Sequence, residues 1–126
     1  GNTKNYFKGE REFIQFSTNY SIWGGQRGYV VATYRVESDN SGKQFISVSE
    51  NVIGTAQNRA TSLFTGYDRI YFEYFYKEVT EEQGQWYDRV PDDPLVNIVP
   101  EKVRLSLIDG YKTLSLIIPL RAASNE

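Results

Sequence analysis

A run of aromatic and β-branched residues from Tyr67 to Tyr76 constrains the fold of this chain more than any other stretch. Large side chains recur there at every second position, a period that predicts a β-strand. The two faces of that strand are Ile70, Phe72, Tyr74 and Tyr76 on one side, and Tyr71, Glu73, Phe75 and Lys77 on the other. Because the first face is large and mostly apolar, we expect it in the core. The two charges of the second face indicate contact with water.

An acidic run, Glu78–Glu82, follows this strand and leads to Gly84. Unpaired buried carboxylates are too costly for such a run to continue a buried strand. We therefore predict a long hairpin loop, in which Gly84 supplies a permissive backbone angle. Trp86 is expected to open the returning segment.

Other alternating segments predict about six strands in all, joined mainly by turns. They are Glu12–Tyr20, Tyr29–Glu37, Phe45–Ser49, Val103–Leu107 and Thr113–Leu120, with Leu95–Val99 as a short edge segment. Turn residues at Ser38–Gly42 and Asp109–Gly110 predict hairpins. Glu50–Thr65 has no clean period and is interpreted as a loop or one helical turn near Ala56–Leu63. This spacing predicts a single mainly β domain over residues 1–126, an antiparallel sandwich or split barrel.

The composition removes several classes of chemistry. The chain has no histidine, which is the commonest general base and metal ligand, and no cysteine for a disulfide. With 14 basic and 16 acidic residues its net charge is −2, which predicts no general attraction to nucleic acid or to an anionic membrane. No apolar run approaches the roughly 20 residues of a membrane helix. We therefore predict a protein that is not an enzyme, with no catalytic residues, no cofactor and no metal.

Some segments allow competing interpretations. Asp88, Asp92 and Asp93 offer oxygen ligands for calcium, against a solvated acidic loop as the simpler interpretation. The glycine-rich segment Ile22–Gly28 lacks the following helix of a phosphate cradle. We interpret it as a turn with Trp23 packed over its base.

The acidic loop raises a third alternative, because Glu78, Glu81 and Glu82 could supply a carboxylate pair for glycoside hydrolysis. An exposed loop offers no apolar surroundings to raise the pKa of one of them, so we do not favour this interpretation.

The order of the segments carries a resemblance. The matching segments, in chain order, are Gly9 with Phe13–Ser17, Gly28–Glu37, Asn40–Gly42, Tyr67–Phe75, Gly84–Trp86 and Val99–Leu107. Over residues 9–120 they resemble the periplasmic domain of a minor pseudopilin of the type II secretion system, the J type. That family shows a similar Phe-x-Ser strand, a tryptophan after a glycine, and a Pro-x-x-Val strand near the end.

The resemblance implies a structural subunit with an α+β plan, not an enzyme. Its N-terminal helix would lie in the bacterial inner membrane and its β domain in the periplasm. It would sit at the tip of the pseudopilus with the I- and K-type minor pseudopilins. The leader and helix do not occur in this sequence, and Gly1 before a polar run suggests a trimmed start. A type IV minor pilin would look similar.

Two further expectations concern packing and partners. We expect one buried group to comprise Ile70, Phe72, Tyr74, Val103, Leu105, Leu114, Leu116 and Ile118. We expect weak self-association and a partner contact that uses some of Tyr29, Val31, Tyr71 and Phe75. Nucleic-acid stacking on these aromatics is not favoured, because basic residues do not cluster beside them in the sequence. The alternative function is a secreted or surface β-sandwich module that binds carbohydrate or a small ligand on Trp23, Trp86 and Tyr29.

Overall fold

The computed structural model describes residues 7–19, 22–23, 30–52, 54, 58–93, 95 and 98–120. Within these residues the chain forms nine strands and no helix, and so no helix that could cross a bilayer. The strands are β1 (Phe7–Glu10), β2 (Phe13–Thr18), β3 (Val30–Ser38), β4 (Gln44–Val52), β5 (Asn58–Tyr67), β6 (Arg69–Tyr76), β7 (Gln85–Tyr87), β8 (Lys102–Asp109) and β9 (Lys112–Pro119). Sheet A has the order β1-β2-β3-β4-β5 and sheet B the order β7-β6-β8-β9. All neighbouring strands are antiparallel.

The prediction of a mainly β fold built from antiparallel sheets is confirmed, and the sheets do not close into a barrel. The interpretation of Glu50–Thr65 as loop or helical turn is wrong over its described residues, because strand β5 begins at Asn58. Nearly all side chains of β5 are exposed, with Leu63 and Tyr67 partly buried. An edge strand of this kind has no apolar alternation, which is why its period was missed. The expected segment Leu95–Val99 holds no strand in its described residues.

The predicted hairpins at Ser38–Gly42 and Asp109–Gly110 are present. Gly42 and Gly110 have φ angles of 87° and 64°, which a residue with a Cβ adopts at a cost. Gly84 differs from the prediction, because it is not among the glycines with positive φ. A Cβ built there would lie 2.6 Å from the ring of Phe75. Gly84 is therefore needed for close packing of that ring, and not for its backbone angle.

A single hydrophobic core lies between the inner faces of the two sheets. Sheet A contributes Ile14, Ile46 and Val48, which face the β6 and β8 side chains of sheet B. Tyr74 is fully buried, and its hydroxyl lies 2.5 and 3.2 Å from the backbone carbonyl oxygens of Glu10 and Phe13, which flank the β1–β2 turn. Burial raises the pKa of that hydroxyl, so it stays a hydrogen-bond donor.

The two sheets are tied together at the corner where β5 passes into β6 through Asp68. The Asp68 carboxylate accepts hydrogen bonds from Lys43 Nζ at 2.5 Å and from the Gly110 amide at 2.6 Å. These two bonds hold the pKa of Asp68 below its usual value. Farther along β6, the Phe72 amide donates to the Arg11 carbonyl at 2.8 Å. The loops of sheet A thus fix the position of sheet B.

The predicted core is correct for strands β6 and β8, correct in part for Leu116 of β9, and wrong for Leu114 and Ile118. Ile70, Phe72, Tyr74, Val103 and Leu105 are all buried. In contrast, Leu114 and Ile118 are 50% and 45% exposed, and Leu116 is partly buried. Strand β9 is the last strand of sheet B, and no β9 residue belongs to the buried core cluster. Among the described residues, sheet A therefore covers β6 and β8 more fully than β9, where Leu116 packs against the core while Leu114 and Ile118 stay about half exposed.

Candidate functional site

The first candidate site is the inner face of β9, called here the β9 strip and defined as Leu114, Leu116 and Ile118. These residues pair directly with Leu107, Leu105 and Val103 of β8, so the two rows point to the same side of the sheet. The β8 row is 1–3% exposed. The β9 strip thus continues the apolar surface of the core into solvent.

An apolar cavity of about 140 Å³ between the sheets adjoins the strip. Its walls include Phe16 and Tyr34 of sheet A, Phe72 of sheet B, and Phe64 and Ile118. The last two are 39% and 45% exposed, so they mark the mouth of the cavity. An apolar cavity gives a water molecule few partners and favours apolar contents.

Phe64 reaches this mouth through a bulge in β5. The register runs from the pair Gln44 and Tyr67 to the pair Ile46 and Leu63, so β5 carries extra residues here. Phe64 has a φ angle of 52°, in the left-handed region. For a bulky side chain this backbone costs about 1–3 kcal/mol. The bulge sets the aromatic ring at the cavity wall.

The second candidate site lies on the opposite, outer face of sheet B and is called here the cation–aromatic ladder. Its members are Arg11, Arg69, Tyr71, Glu73, Phe75, Trp86, Lys102 and Arg104. Register places most of them in adjacent positions, with Glu73 opposite Arg104 and Phe75 opposite both Trp86 and Lys102. Period-2 side-chain alternation directs the β6 and β8 members away from the core. Trp86 joins them from β7 through its pairing with Phe75, and Arg11 reaches Tyr71 from the turn between β1 and β2.

The cations of the ladder lie over its rings. The guanidinium carbons of Arg11 and Arg69 lie 4.2 and 4.8 Å from the Tyr71 ring centre. Arg104 lies 4.2 Å from the Trp86 ring centre. Such contacts contribute about 0.5–1 kcal/mol each at exposed sites.

Lys102 completes this arrangement at the other end of the ladder. Its Nζ lies 4.5 Å from the ring centre of Phe75 and 5.8 Å from that of Trp86. These two rings pack edge to face at 5.2 Å, a favourable geometry for aromatic pairs. The ladder is therefore an ordered surface.

Glu73 provides the negative charge at the centre of the ladder. Its carboxylate accepts a hydrogen bond from Arg104 Nε at 2.8 Å and lies 3.8 Å from an Arg11 nitrogen. Among the described residues, Arg69 and Lys102 have no carboxylate within ion-pair distance. The ladder thus carries four cations against one carboxylate, on a chain whose net charge is −2.

The residues predicted to contact a partner do not all lie on one face of the structure. Tyr71 and Phe75 lie in the ladder, whereas Val31 lies on the outer face of sheet A, on the other side of the molecule. Tyr29 lies outside the described residues. The expectation that basic residues do not cluster beside these aromatics is wrong for Tyr71 and Phe75. The cluster forms through strand pairing between β6 and β8, which local sequence spacing does not reveal.

Of the three rings proposed for a carbohydrate site, Tyr29 lies outside the described residues, and the two tryptophans lie on different elements. Trp86 lies on sheet B with Arg104 over its ring. Trp23 lies in a turn and is 36% exposed. Because a cation covers a ring of the ladder, that ring offers less area for stacking a sugar.

The carboxylates of the acidic loops make one ion pair and several hydrogen bonds. Asp92 lies 3.9 Å from Lys8 Nζ, and Asp93 accepts from the Leu95 amide at 2.9 Å. Glu81 accepts from the Tyr87 hydroxyl at 2.6 and 2.7 Å, which holds the pKa of Glu81 below its usual value. No group of three potential metal-ligating side chains occurs among the described residues. The absence of a calcium site stays a prediction.

The sequence matches no protein-family model, and no curated protein is significantly similar to it.

Proposed function

We propose that this chain is a structural subunit of a type II secretion pseudopilus, a J-type minor pseudopilin that acts in protein export through assembly with other subunits. The observation that carries the proposal is the half-exposed β9 strip. Apolar surface that continues a core into solvent is a place where another element packs. We assign it to the N-terminal helix that the resemblance implies.

The positions of the family-like segments support the proposal. The segment Phe13–Ser17 lies in β2, the aromatic segment in β6 and the Gly-Gln-Trp segment at β7. The Pro-x-x-Val segment, Pro100–Val103, leads into β8. Most of the segments that resemble the family thus lie in strands of the two sheets. In this proposal the β domain is periplasmic and the helix anchors it in the inner membrane.

Partner binding tests the proposal most directly. The domain is mixed with the soluble domains of the I- and K-type pseudopilins of the same system, and light scattering measures the mass of the complex. We expect a complex at about micromolar concentration. Failure of both partners to bind, alongside tight binding to a glycan array, would favour the carbohydrate module instead.

The helix assignment has its own test. A longer chain that includes an N-terminal helix is compared with the present chain by amide hydrogen exchange. We expect slower exchange in β9 and unchanged exchange in β8, which is already covered. Equal exchange in β9 of the two chains would reject the assignment of the strip to the helix.

A further inference from the structure

The cation–aromatic ladder has a charge that the rest of the molecule does not share. It holds Arg11, Arg69, Lys102 and Arg104 against Glu73, whereas the whole chain has 14 basic and 16 acidic residues. A cationic face on a weakly acidic protein attracts anionic partners to that face alone. The charge therefore indicates a local binding surface.

The ladder is also ordered before any partner arrives. Arg11 and Arg69 share the Tyr71 ring, and Arg104 is held by both Trp86 and Glu73. Binding then loses less side-chain entropy than it would with free lysines and arginines. Arginine, tyrosine and tryptophan are also the residues that dominate binding energy at protein interfaces.

Two of the cations are available as anchors. Among the described residues Arg69 and Lys102 have no carboxylate partner, and they lie at opposite ends of the ladder. Lys102 pairs with Phe75, six residues along β6 from Arg69. At about 3.3 Å per residue the anchors are roughly 20 Å apart.

We propose that this face binds an acidic segment of a partner protein, with one carboxylate near Arg69 and another near Lys102. Carboxylates match the planar donors of arginine. The inference rests on the proposed function only in taking the partner to be a protein.

The position of Glu73 favours a protein over a nucleic acid. A nucleic-acid strand carries a phosphate at every nucleotide, so a strand along the ladder would bring phosphates against the Glu73 carboxylate. A polypeptide can place acids at the two ends and neutral side chains over Glu73. Ile117 of β9, which pairs with Arg104 and is 54% exposed, adds apolar area beside the ladder.

The test uses a fluorescent twelve-residue peptide with two glutamates six positions apart, and the same peptide with glutamines. Anisotropy measures binding to the wild type and to the double variant Arg69→Gln, Lys102→Gln. The matched control is Arg35→Gln, which removes an arginine stacked 4.9 Å from the Phe13 ring on the outer face of sheet A. Thermal melts establish that each variant is folded.

We expect the glutamate peptide to bind the wild type and the glutamine peptide to bind at least about 10-fold more weakly. The double variant should also lose about 10-fold or more, whereas Arg35→Gln should bind as the wild type does. No binding of the glutamate peptide, or unchanged binding by the double variant, overturns the proposal. Tighter binding of single-stranded DNA or a sulfated glycan overturns it as well.

The same variants separate this inference from the proposed function. If the I- and K-type domains bind the double variant as tightly as the wild type, and the acidic peptide fails, the ladder inference is wrong and the pseudopilin proposal stands. If the peptide binds and both domains fail, the pseudopilin proposal is wrong and the ladder inference stands.

Discussion

Strands β8 and β9 carry nearly the same apolar pattern and meet very different surroundings. Leu107 of β8 and Leu114 of β9 are directly paired, are the same residue type and point to the same side of sheet B. Leu107 is 1% exposed and Leu114 is 50% exposed. The difference arises because, among the described residues, the core between the sheets encloses β8 and only partly covers β9, the last strand of sheet B. An alternating pattern thus defines which face is apolar, and the opposite layer decides whether that face is buried.

The buried rows of β6 and β8 and the half-exposed β9 strip also differ in what they contribute to the protein. Under β6 and β8 the apolar rows contribute to folding, since their burial removes area from water at about 25 cal/mol per Å². The two end residues of the β9 strip, Leu114 and Ile118, are about half exposed to solvent. Its contribution to folding is smaller, and its apolar surface is available for another element.

The largest expected effect lies in the covered region. Phe72→Ala removes a ring that is 2% exposed and lines the cavity between the sheets. We expect a loss of about 3–5 kcal/mol in the free energy of unfolding, from lost burial and an enlarged cavity. Urea denaturation measures it. A variant as stable as the wild type would mean that the sheets do not pack over β6.

A smaller effect is expected from one buried hydroxyl. Tyr74→Phe leaves the ring in place and removes the donor to the Glu10 and Phe13 carbonyls. Loss of the hydrogen bonds of this buried hydroxyl predicts a decrease of about 0.5–1.5 kcal/mol in the free energy of unfolding. Tyr111→Phe is the control, because Tyr111 is 95% exposed in the β8–β9 turn and its change should be silent. Thermal melts measure both variants. Equal changes in melting temperature would contradict the buried, hydrogen-bonded position of the Tyr74 hydroxyl.

The smallest effect concerns the link between the β8–β9 turn and the corner of the sheets. Asp68 accepts hydrogen bonds from Lys43 and from the Gly110 amide, which lower its pKa in the folded state. A lowered pKa stabilises the fold above the unfolded value of about 3.9, and this contribution disappears as pH falls through the folded pKa. The stability difference between wild type and Asp68→Asn should therefore shrink on acidification. A difference independent of pH between about 6 and 2 would show that Asp68 is not the group responsible.

The sequence predicted well what depends on neighbouring residues. The alternation of Ile70, Phe72 and Tyr74 correctly predicted that they share the buried face of β6, and Asp109–Gly110 correctly predicted the hairpin between β8 and β9. These features rest on period-2 geometry and on turn preferences, which are local.

The sequence predicted poorly what depends on distant residues. How far the apolar face of a strand is buried depends on how the other sheet packs against it. The sequence pattern of β9 alone therefore did not predict the exposure of Leu114 and Ile118. The ladder was missed because Glu73 and Arg104 are 31 positions apart and meet only through the β6–β8 pairing. Alternation of Lys102 and Arg104 with Val103 and Leu105 was the one available signal. Gly84 was misassigned because its reason is the Phe75 ring, which no local rule identifies.

The central claim, that equal patterns on β8 and β9 receive unequal cover, is tested most directly by one matched pair of variants. Leu107→Ala and Leu114→Ala remove the same atoms from paired positions, and urea denaturation gives the free energy of unfolding of each. We predict a loss of about 2–5 kcal/mol for Leu107→Ala and less than half of that loss for Leu114→Ala. Equal losses at the two positions would contradict the account, because they would mean that β9 is covered as fully as β8.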